Sequence, residues 1–334
     1  MHAIRQHAFG PAENLLYEEV DDPKPGPGQV RIAVAAAGVH FIDVSIREGR
    51  PPPSAPLPEL PATPGREVAG VVDALGDGVD EAWRGRRVVA HLGVVNGGYA
   101  ELAVASAEAL HELPGDLAFD AAVAMIGTGR TAVGVLRAAR LRPDDVVLVT
   151  AAAGGMGALF VQEARNVGAV AVGVAGGPEK VALVERLGAD IAVDYAEPGW
   201  TQAVRDRLGG REVTVALDGV GGELGRDALQ LIGLGGRMLL FGWSSGSPIE
   251  VGPDVLYTGG ISLMGVLGPW LFGQPGGLRA LEDESLAAAA SGRLEPLVGP
   301  PFALSEAAAA HLALESRATV GKTVLVPDAS PLLG

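Results

Sequence analysis

Between residues 146 and 174 the chain switches from one hydrophobic period to another and back. Val146-Val147-Leu148-Val149 is an unbroken apolar run of strand length. A turn of small residues follows, Ala151-Ala152-Ala153-Gly154-Gly155-Met156-Gly157, and then Leu159, Phe160, Ala164 and Val167 form one stripe at helical spacing, with Gly168 placed as a C-cap. Val170-Ala171-Val172-Gly173-Val174 is a second buried strand, so the segment has the length of a βαβ unit, about 30 residues. The alternation continues on both sides. A helical region is expected over 120–139, interrupted at Gly127-Thr128-Gly129. A helix opened by Gly177-Pro178 should end at Gly188, and strands are expected at 191–193, 213–217, 237–241 and 261–267, with a helix over 223–232. This pattern predicts a doubly wound parallel sheet covered on both faces.

Upstream the period is that of short strands, at 30–34, 68–72, 87–90 and 99–104, separated by proline and glycine as in a small barrel or sandwich. Residues 51–64 hold seven prolines and must run as an extended surface loop, since proline can neither donate to a ladder nor continue a helix. Two helices near 278–290 and 305–315 and a strand at 322–326 close the chain. They make a poor core alone and are expected to return to the first domain. The fold class is therefore α/β: a Rossmann-type doubly wound sheet plus a β-rich domain. The expected divisions are 1–120, 121–266 and a C-terminal return over 267–334.

The glycine turn is where chemistry enters. Gly154 would let backbone approach a pyrophosphate, and Gly157 would let the new helix lie close against the sheet. Phosphates would then meet the free N–H groups at the helix start, along Ala153, Gly154, Gly155 and Met156. Ala152 stands where the G-x-G-x-x-G pattern has its first glycine, so the turn should be slightly less tight. After the second strand the chain reads Val174-Ala175-Gly176-Gly177, without the acid that usually accepts hydrogen bonds from the ribose hydroxyls of NAD and would repel a 2′-phosphate.

Composition narrows the alternatives. The 334 residues suit two ordinary domains, 48% of them are hydrophobic and 19% charged, and no uninterrupted apolar run reaches the ~18 residues of a membrane span. With no signal-peptide layout at its start, the chain is expected in the cytoplasm. A formal charge of −15 argues against nucleic acid or an anionic membrane as partner. The absence of cysteine excludes disulfides, thiolate nucleophiles and cysteine-based zinc sites together.

Blocks along the whole chain resemble the zinc-independent medium-chain dehydrogenases/reductases of the quinone oxidoreductase type. They are Ala36-Ala37-Gly38-Val39-His40-Phe41-Ile42-Asp43, Pro64-Gly65-Arg66-Glu67-Val68-Ala69-Gly70, Thr128-Gly129-Arg130-Thr131-Ala132, the 151–157 turn, Gly188-Ala189-Asp190 with Asp194-Tyr195, Asp218-Gly219-Val220-Gly221, Phe241-Gly242, and Glu315-Ser316-Arg317-Ala318-Thr319 with Gly321-Lys322. The resemblance implies a GroES-like first domain, a Rossmann domain and a homodimer. It also implies NADPH as cofactor, because NADPH-preferring members carry a lysine matching Lys180 and a tyrosine matching Tyr195, and Arg317 resembles a C-terminal arginine near the same phosphate. Thr131 resembles a threonine near the nicotinamide. Gly176, Gly221, Phe241 and Gly242 join the cofactor set at strand ends, where open α/β sheets bind ligands.

In the zinc enzymes of the same superfamily the metal is held by a Cys…His-Glu…Cys/Asp arrangement. Here the first-ligand position is His40 and the Gly-His-Glu block reads Gly65-Arg66-Glu67, so no metal is expected. The catalytic candidates are His40 and Ser45. His40 stands where the family commonly has asparagine and could contact the substrate carbonyl or the nicotinamide side, donate a proton, or serve only as hydrogen-bonded structure. Ser45 replaces a tyrosine found in many relatives, which weakens an acid-donor role borrowed from enoyl reductases. The expected activity is zinc-free hydride transfer from NADPH to a quinone or related conjugated carbonyl, with the protein orienting two rings and excluding water. The rivals are a 2-enoyl reductase and a nucleotide-binding redox sensor with little turnover.

Overall fold

The computed structural model describes residues 1–51, 56–93 and 97–330. Part of the expected proline-rich loop, 52–55, lies outside the described residues. The chain folds into two compact units. The first contains Met1–Gly127 and the C-terminal residues from Pro296, and the second is Thr128–Glu295.

The first unit starts with β1 (His2–Gln6) and β2 (Leu15–Glu19), an antiparallel pair. It continues through β3 (Gln29–Val39), α1 (Phe41–Arg47), β4 (Glu67–Leu75), β5 (Arg87–His91), β6 (Leu102–Ser106), β7 (Leu110–Glu112) and α2 (Phe119–Ala124). A π-helical turn, Met125–Gly129, follows. The second unit then runs α3 (Arg130–Ala139), β8 (Val146–Val149), α4 (Gly155–Asn166), β9 (Val170–Ala175), α5 (Pro178–Arg186), β10 (Ile191–Asp194), α6 (Trp200–Leu208), β11 (Val213–Asp218), α7 (Gly222–Leu229), β12 (Ile232–Leu240), α8 (Pro253–Gly259), β13 (Ser262–Gly265), α9 (Pro269–Phe272) and α10 (Gly277–Ala290). β14 (Phe302–Ala303), α11 (Ala307–Glu315) and β15 (Thr323–Val326) complete the first unit.

β3 organises the first unit. Alternation along it turns Val30, Ile32 and Val34 inward, onto a core that includes Ile4, Val68, Val72, Val88, Leu110 and Leu325. One edge of β3 pairs with β4. The other pairs with β6 over its first half and with β15 over its last residues, Val39 opposite Thr323 and Ala37 opposite Leu325. This pairing carries the C-terminal strand back to the start of α1. A Cβ at Gly70 would strike the Ala33 carbonyl, so glycine is what lets β3 and β4 approach there.

The second unit is one parallel sheet in the order β10-β9-β8-β11-β12-β13. The strand order reverses between β8 and β11, the switch point at which ligands bind in such sheets. Sequence patterning misses α6, whose Trp200, Val204 and Leu208 are buried at i, i+4 and i+8.

The compact units divide at Gly127 and Pro296, where the expected divisions were 120 and 266. The first unit extends to Gly127, and the return to it starts at Pro296. Residues 267–295 belong with the second unit because α10 packs on α3, with Leu281 and Leu271 against Val133, the Leu271 methyl filling the space beside Gly134, and Arg130 paired with Glu282 at 2.5 Å. The stretch Phe119–Ala139 is long and apolar enough to cross a membrane by length and composition, yet 61% of it is buried in the protein, as befits core helix.

A buried polar chain braces the first unit. Tyr99, fully buried, donates its hydroxyl to Asp43 Oδ2 at 3.1 Å and lies 3.2 Å from His311 Nε2. With the Tyr99 hydrogen committed to Asp43, His311 donates from Nε2 and its buried Nδ1 has no partner. Burial first, and Arg47 second, push the His311 pKa down to about 4 against the pull of Asp43. The folded pKa is below the unfolded value of 6.5, so the contribution of His311 is complete above pH ~6.5 and is lost as pH falls toward 4. The loss amounts to about 3 kcal/mol. Urea unfolding at pH 7 and pH 4.5 should show a smaller acid-induced loss for His311→Gln than for the native chain; equal losses would contradict a buried neutral imidazole.

Candidate active site

In the second unit most of the cofactor candidates gather at the carboxyl ends of five neighbouring strands. β8 ends at Val149, Thr150 is buried, and its Oγ1 donates to Asp218 Oδ1 at 2.7 Å. Ala151 takes a left-handed conformation at φ +48°, an uncommon state for alanine, and this replaces the tight turn expected of a first glycine. Ala152 is buried and donates its N–H to Val174 O at 3.0 Å, tying the turn to β9. Gly154 is the extended N-cap of α4. A Cβ there would meet only the Ala151 carbonyl, at 3.2 Å, so the space in front of it is largely open. At Gly157 a Cβ would fall on the Ala151 carbonyl and 2.7 Å from Ala152 Cα, which fits the expected close packing of α4 on the sheet.

Next along the sheet, the buried Asp218 organises the loop after β11. Its carboxylate accepts the N–H groups of Val220 and Gly221, both at 3.0 Å, and Gly221 sits at φ +68° as the N-cap of α7. Phe241 packs edge-on against Phe160 of α4, ring centroids 5.2 Å apart, and its ring occupies the space beside Gly219. Gly242 lies 3.1 Å, by its missing Cβ, from Gly219 O. On the other side, a Cβ at Gly176 would come 3.0 Å from the Tyr195 hydroxyl, and Asp194 accepts the N–H groups of Gly177 and Ala196. Lys180 is half-buried in the first turn of α5. The open ground before Gly154, the free start of α4 and the absence of an acid after β9 fit a dinucleotide carrying a 2′-phosphate. Gly155 and Met156 form the first turn of α4, behind Ala153. Thr131 is on α3, and Arg317 is in the first unit at φ +56°.

The first unit holds the catalytic candidates. His40 is the N-cap of α1, and its backbone N–H donates to Asp43 Oδ2 at 2.8 Å. Its Nε2 is 2.8 Å from Glu67 Oε1 and 3.0 Å from Lys322 Nζ, and Lys322 Nζ is 2.6 Å from Glu67 Oε1. Glu67 is fully buried at the start of β4, and Lys322 is 4% exposed beside β15. Two glycines make room for the carboxylate: a Cβ at Gly38 would land on Glu67 Oε1, and one at Gly127 on Oε2. Burial works to raise the Glu67 pKa, but the neighbouring His40 and the Lys322 ammonium overcome it and hold the carboxyl well below its usual range. Ser45 lies one turn further along α1, and its carbonyl accepts the Arg50 N–H at 2.8 Å.

Sequence reading quotes Glu67 and Lys322 but does not join them; only the antiparallel return of β15 onto β3 does so. Asp43, Tyr99, His311 and Asp218 are given no role by sequence either, because Asp43, Tyr99 and His311 meet only in the fold, as do Asp218 and Thr150. Arg130 turns out to be a brace to Glu282. As a zinc site the cluster does not fit: the chain has no cysteine, Arg66 cannot ligate a cation, and an ammonium already stands between His40 Nε2 and Glu67 Oε1. Among the described residues no group of three or more His, Cys, Asp or Glu is placed to hold a metal ion.

Comparison with known proteins adds to this geometry. Residues 26–115 match the alcohol dehydrogenase GroES-like domain, and residues 155–271 match the family described as zinc-binding dehydrogenase. A 2-haloacrylate reductase from Burkholderia sp is 34% identical over 331 residues, covering 97% of this chain and 98% of its own length. A quinone oxidoreductase from Pseudomonas aeruginosa is 34% identical over 327 residues, covering 97% and 99%. Among solved structures, Escherichia coli quinone oxidoreductase complexed with NADPH is 30% identical, covers 98% of this chain and 100% of its own, and superposes with a TM-score of 0.86.

The two glycine-turn positions should respond oppositely to substitution. Gly157→Ala forces α4 off the sheet and should cost about 1–3 kcal/mol. Ala151→Gly removes left-handed strain and should stay within about 1 kcal/mol of the native chain, on the stabilising side. Urea unfolding of both variants checks this, and equal costs would contradict the turn described.

Proposed function

We propose a hydride-transfer function for this chain, starting from the fact that it belongs to the medium-chain dehydrogenase/reductase family and has full-length relatives among the quinone oxidoreductases. The reaction is reduction of a quinone or related conjugated carbonyl by NADPH, without zinc. The observation that carries this reading is the largely open ground before Gly154 at the start of α4, with no acid in the stretch 174–177 and Lys180 at the start of α5. NADPH, when bound, supplies the hydride. The chain's own residues bind and orient: the N–H groups at the start of α4 receive the pyrophosphate, and Lys180 with Tyr195 receives the 2′-phosphate. Arg317 and Thr131 are assigned to the same cofactor by family resemblance. His40 faces the acceptor and answers the charge that develops on its oxygen.

Reduction of an activated carbon–carbon double bond is the second reading. The similarity to a 2-haloacrylate reductase favours it, and such an acceptor also builds negative charge that a donor must meet. Both acceptor classes are served by one orienting site, so they are separated by turnover.

We assign a homodimer. Support comes from β13, the edge strand of the parallel sheet, which is short and exposed, with Met264 37% exposed on it and Tyr257 of the neighbouring α8 86% exposed. A Met264→Glu substitution should shift sedimentation from dimer to monomer; a native chain that sediments as a monomer removes the assignment.

NADPH oxidation with a panel of benzoquinones and a panel of enones decides the acceptor. Turnover with neither class despite NADPH binding would favour a nucleotide sensor. Lys180→Ala should raise the Kd for NADPH roughly tenfold or more while leaving NADH nearly unchanged. Equal weakening of both cofactors would show that Lys180 does not read the phosphate.

A further inference from the structure

We propose that Arg66 determines acceptor specificity: its guanidinium holds a carboxylate on the acceptor while the conjugated part of that molecule lies against His40. The proposal rests on the acceptor reading given above and narrows it from conjugated carbonyls in general to anionic ones.

Strand ends meet where Arg66 stands. β3 ends at Val39 and leads into His40, β4 starts at Glu67, and β5 ends at His91. Pairing is antiparallel, with Ala37 opposite Val68 and Glu67 opposite His91, so these termini lie at one end of the sheet. Arg66 directly precedes Glu67, whose Oε1 is 2.8 Å from His40 Nε2. Its own contacts lead back to the same place. Arg66 Nε donates to Gly93 O at 3.4 Å, and the Gly93 N–H donates to His91 Nδ1 at 3.0 Å.

The backbone carrying Arg66 is held firmly. Its carbonyl accepts the Leu92 N–H at 2.7 Å, the Gly65 carbonyl accepts that of Gly98 at 3.0 Å, and the Pro64 carbonyl accepts that of Tyr99 at 2.9 Å. Gly65 takes φ +96°, and a Cβ there would fall on Tyr99, so glycine is what lets this segment pack. A charge on so fixed a base can place a ligand as well as attract it.

What the guanidinium lacks is an acid. Arg66 is half-buried, and its one hydrogen bond among the described residues is the long one from Nε. Neither Nη has a partner there, and neither is sealed off, since each would then count among the buried polar atoms left unsatisfied. The nearby carboxylates are committed elsewhere: Glu67 to Lys322 and His40, Asp43 to the His40 backbone and the Tyr99 hydroxyl. The stretch 92–98, Leu-Gly-Val-Val-Asn-Gly-Gly, has no acid in its sequence. Two open Nη groups on one planar fork match a carboxylate, which accepts two parallel N–H bonds from them.

The charge of the whole chain sharpens the point. At −15 it repels anions in general, so an anionic acceptor is retained only by a cation at the site itself. Lys322 does not serve, because its ammonium is 4% exposed and already 2.6 Å from Glu67 Oε1. The carboxylate is a handle: it takes no part in the bond changes, and the guanidinium keeps all its protons.

Steady-state kinetics on two matched pairs test this, a carboxy-substituted benzoquinone against its methyl ester and acetylacrylate against its methyl ester. Native kcat/KM should favour each acid over its ester by roughly tenfold or more, and Arg66→Leu should lower that acid-to-ester ratio by about the same factor. Arg66→Lys keeps the charge but not the fork and should lower the ratio less. Benzoate supplies a readout independent of turnover: calorimetric titration in the presence of NADP+ should show binding to the native chain that Arg66→Leu weakens roughly tenfold or more. No native preference for the acids, or a ratio that Arg66→Leu leaves unmoved, would overturn the proposal. If Arg66→Leu fails to fold, Arg66→Gln and the native ratio carry the test. Benzoate binding that depends on Arg66, without turnover of either pair, would end the hydride-transfer reading and leave the carboxylate site standing. Turnover of both esters with no preference for the acids would do the reverse.

Discussion

A carboxylate with no solvent exposure is costly to bury unless a cation or several hydrogen-bond donors answer it. Glu67 is such a group, and the answer comes from Lys322, which reaches it only when β15 lies antiparallel on β3. Breaking a buried ion pair by removing one partner typically costs about 3–5 kcal/mol, a large share of a domain's stability. The pair therefore couples the closing strand of the chain to the strand end that presents His40. Gly38 and Gly127 belong to the same constraint, since any side chain at either place would displace the carboxylate.

The second unit solves a different problem by similar means. Backbone must come close to a large anionic ligand, so side chains are withdrawn from the strand ends and the loops are held from behind. Asp218 does this for the loop after β11 by accepting two consecutive N–H groups and a threonine hydroxyl, and Asp194 does it after β10. Both carboxylates are spent on the protein's own backbone.

What could be read from sequence followed the range over which each interaction acts. The βαβ unit, Gly157 and the alternation of strands and helices were legible because hydrophobic period and local steric need lie within about 30 residues. α6 was passed over because Trp200, Val204 and Leu208 are interleaved with Arg205, Asp206 and Arg207, and a single stripe among charges is a faint signal. The start of the C-terminal return was misplaced since Leu281 and Glu282 find their partners on α3, which no local pattern announces. His40 was visible as a candidate, with Glu67 a conceivable neighbour, but Lys322 was not. Glu67 and Lys322 are remote in sequence and meet only through sheet pairing.

The choice between an ammonium and a metal has a chemical consequence. A metal polarises a carbonyl strongly and holds an alkoxide, which suits alcohol and aldehyde interconversion. An imidazole offers less charge, yet a quinone or conjugated carbonyl would need less, because the negative charge produced by hydride addition is already delocalised over the product. A fixed donor also needs no reorganisation when that charge appears, which is the condition under which a single hydrogen bond is most effective in a water-poor site. The buried carboxylate thus joins stability to the site: Glu67 meets Lys322 from the closing strand and His40 at the end of β3 at one oxygen.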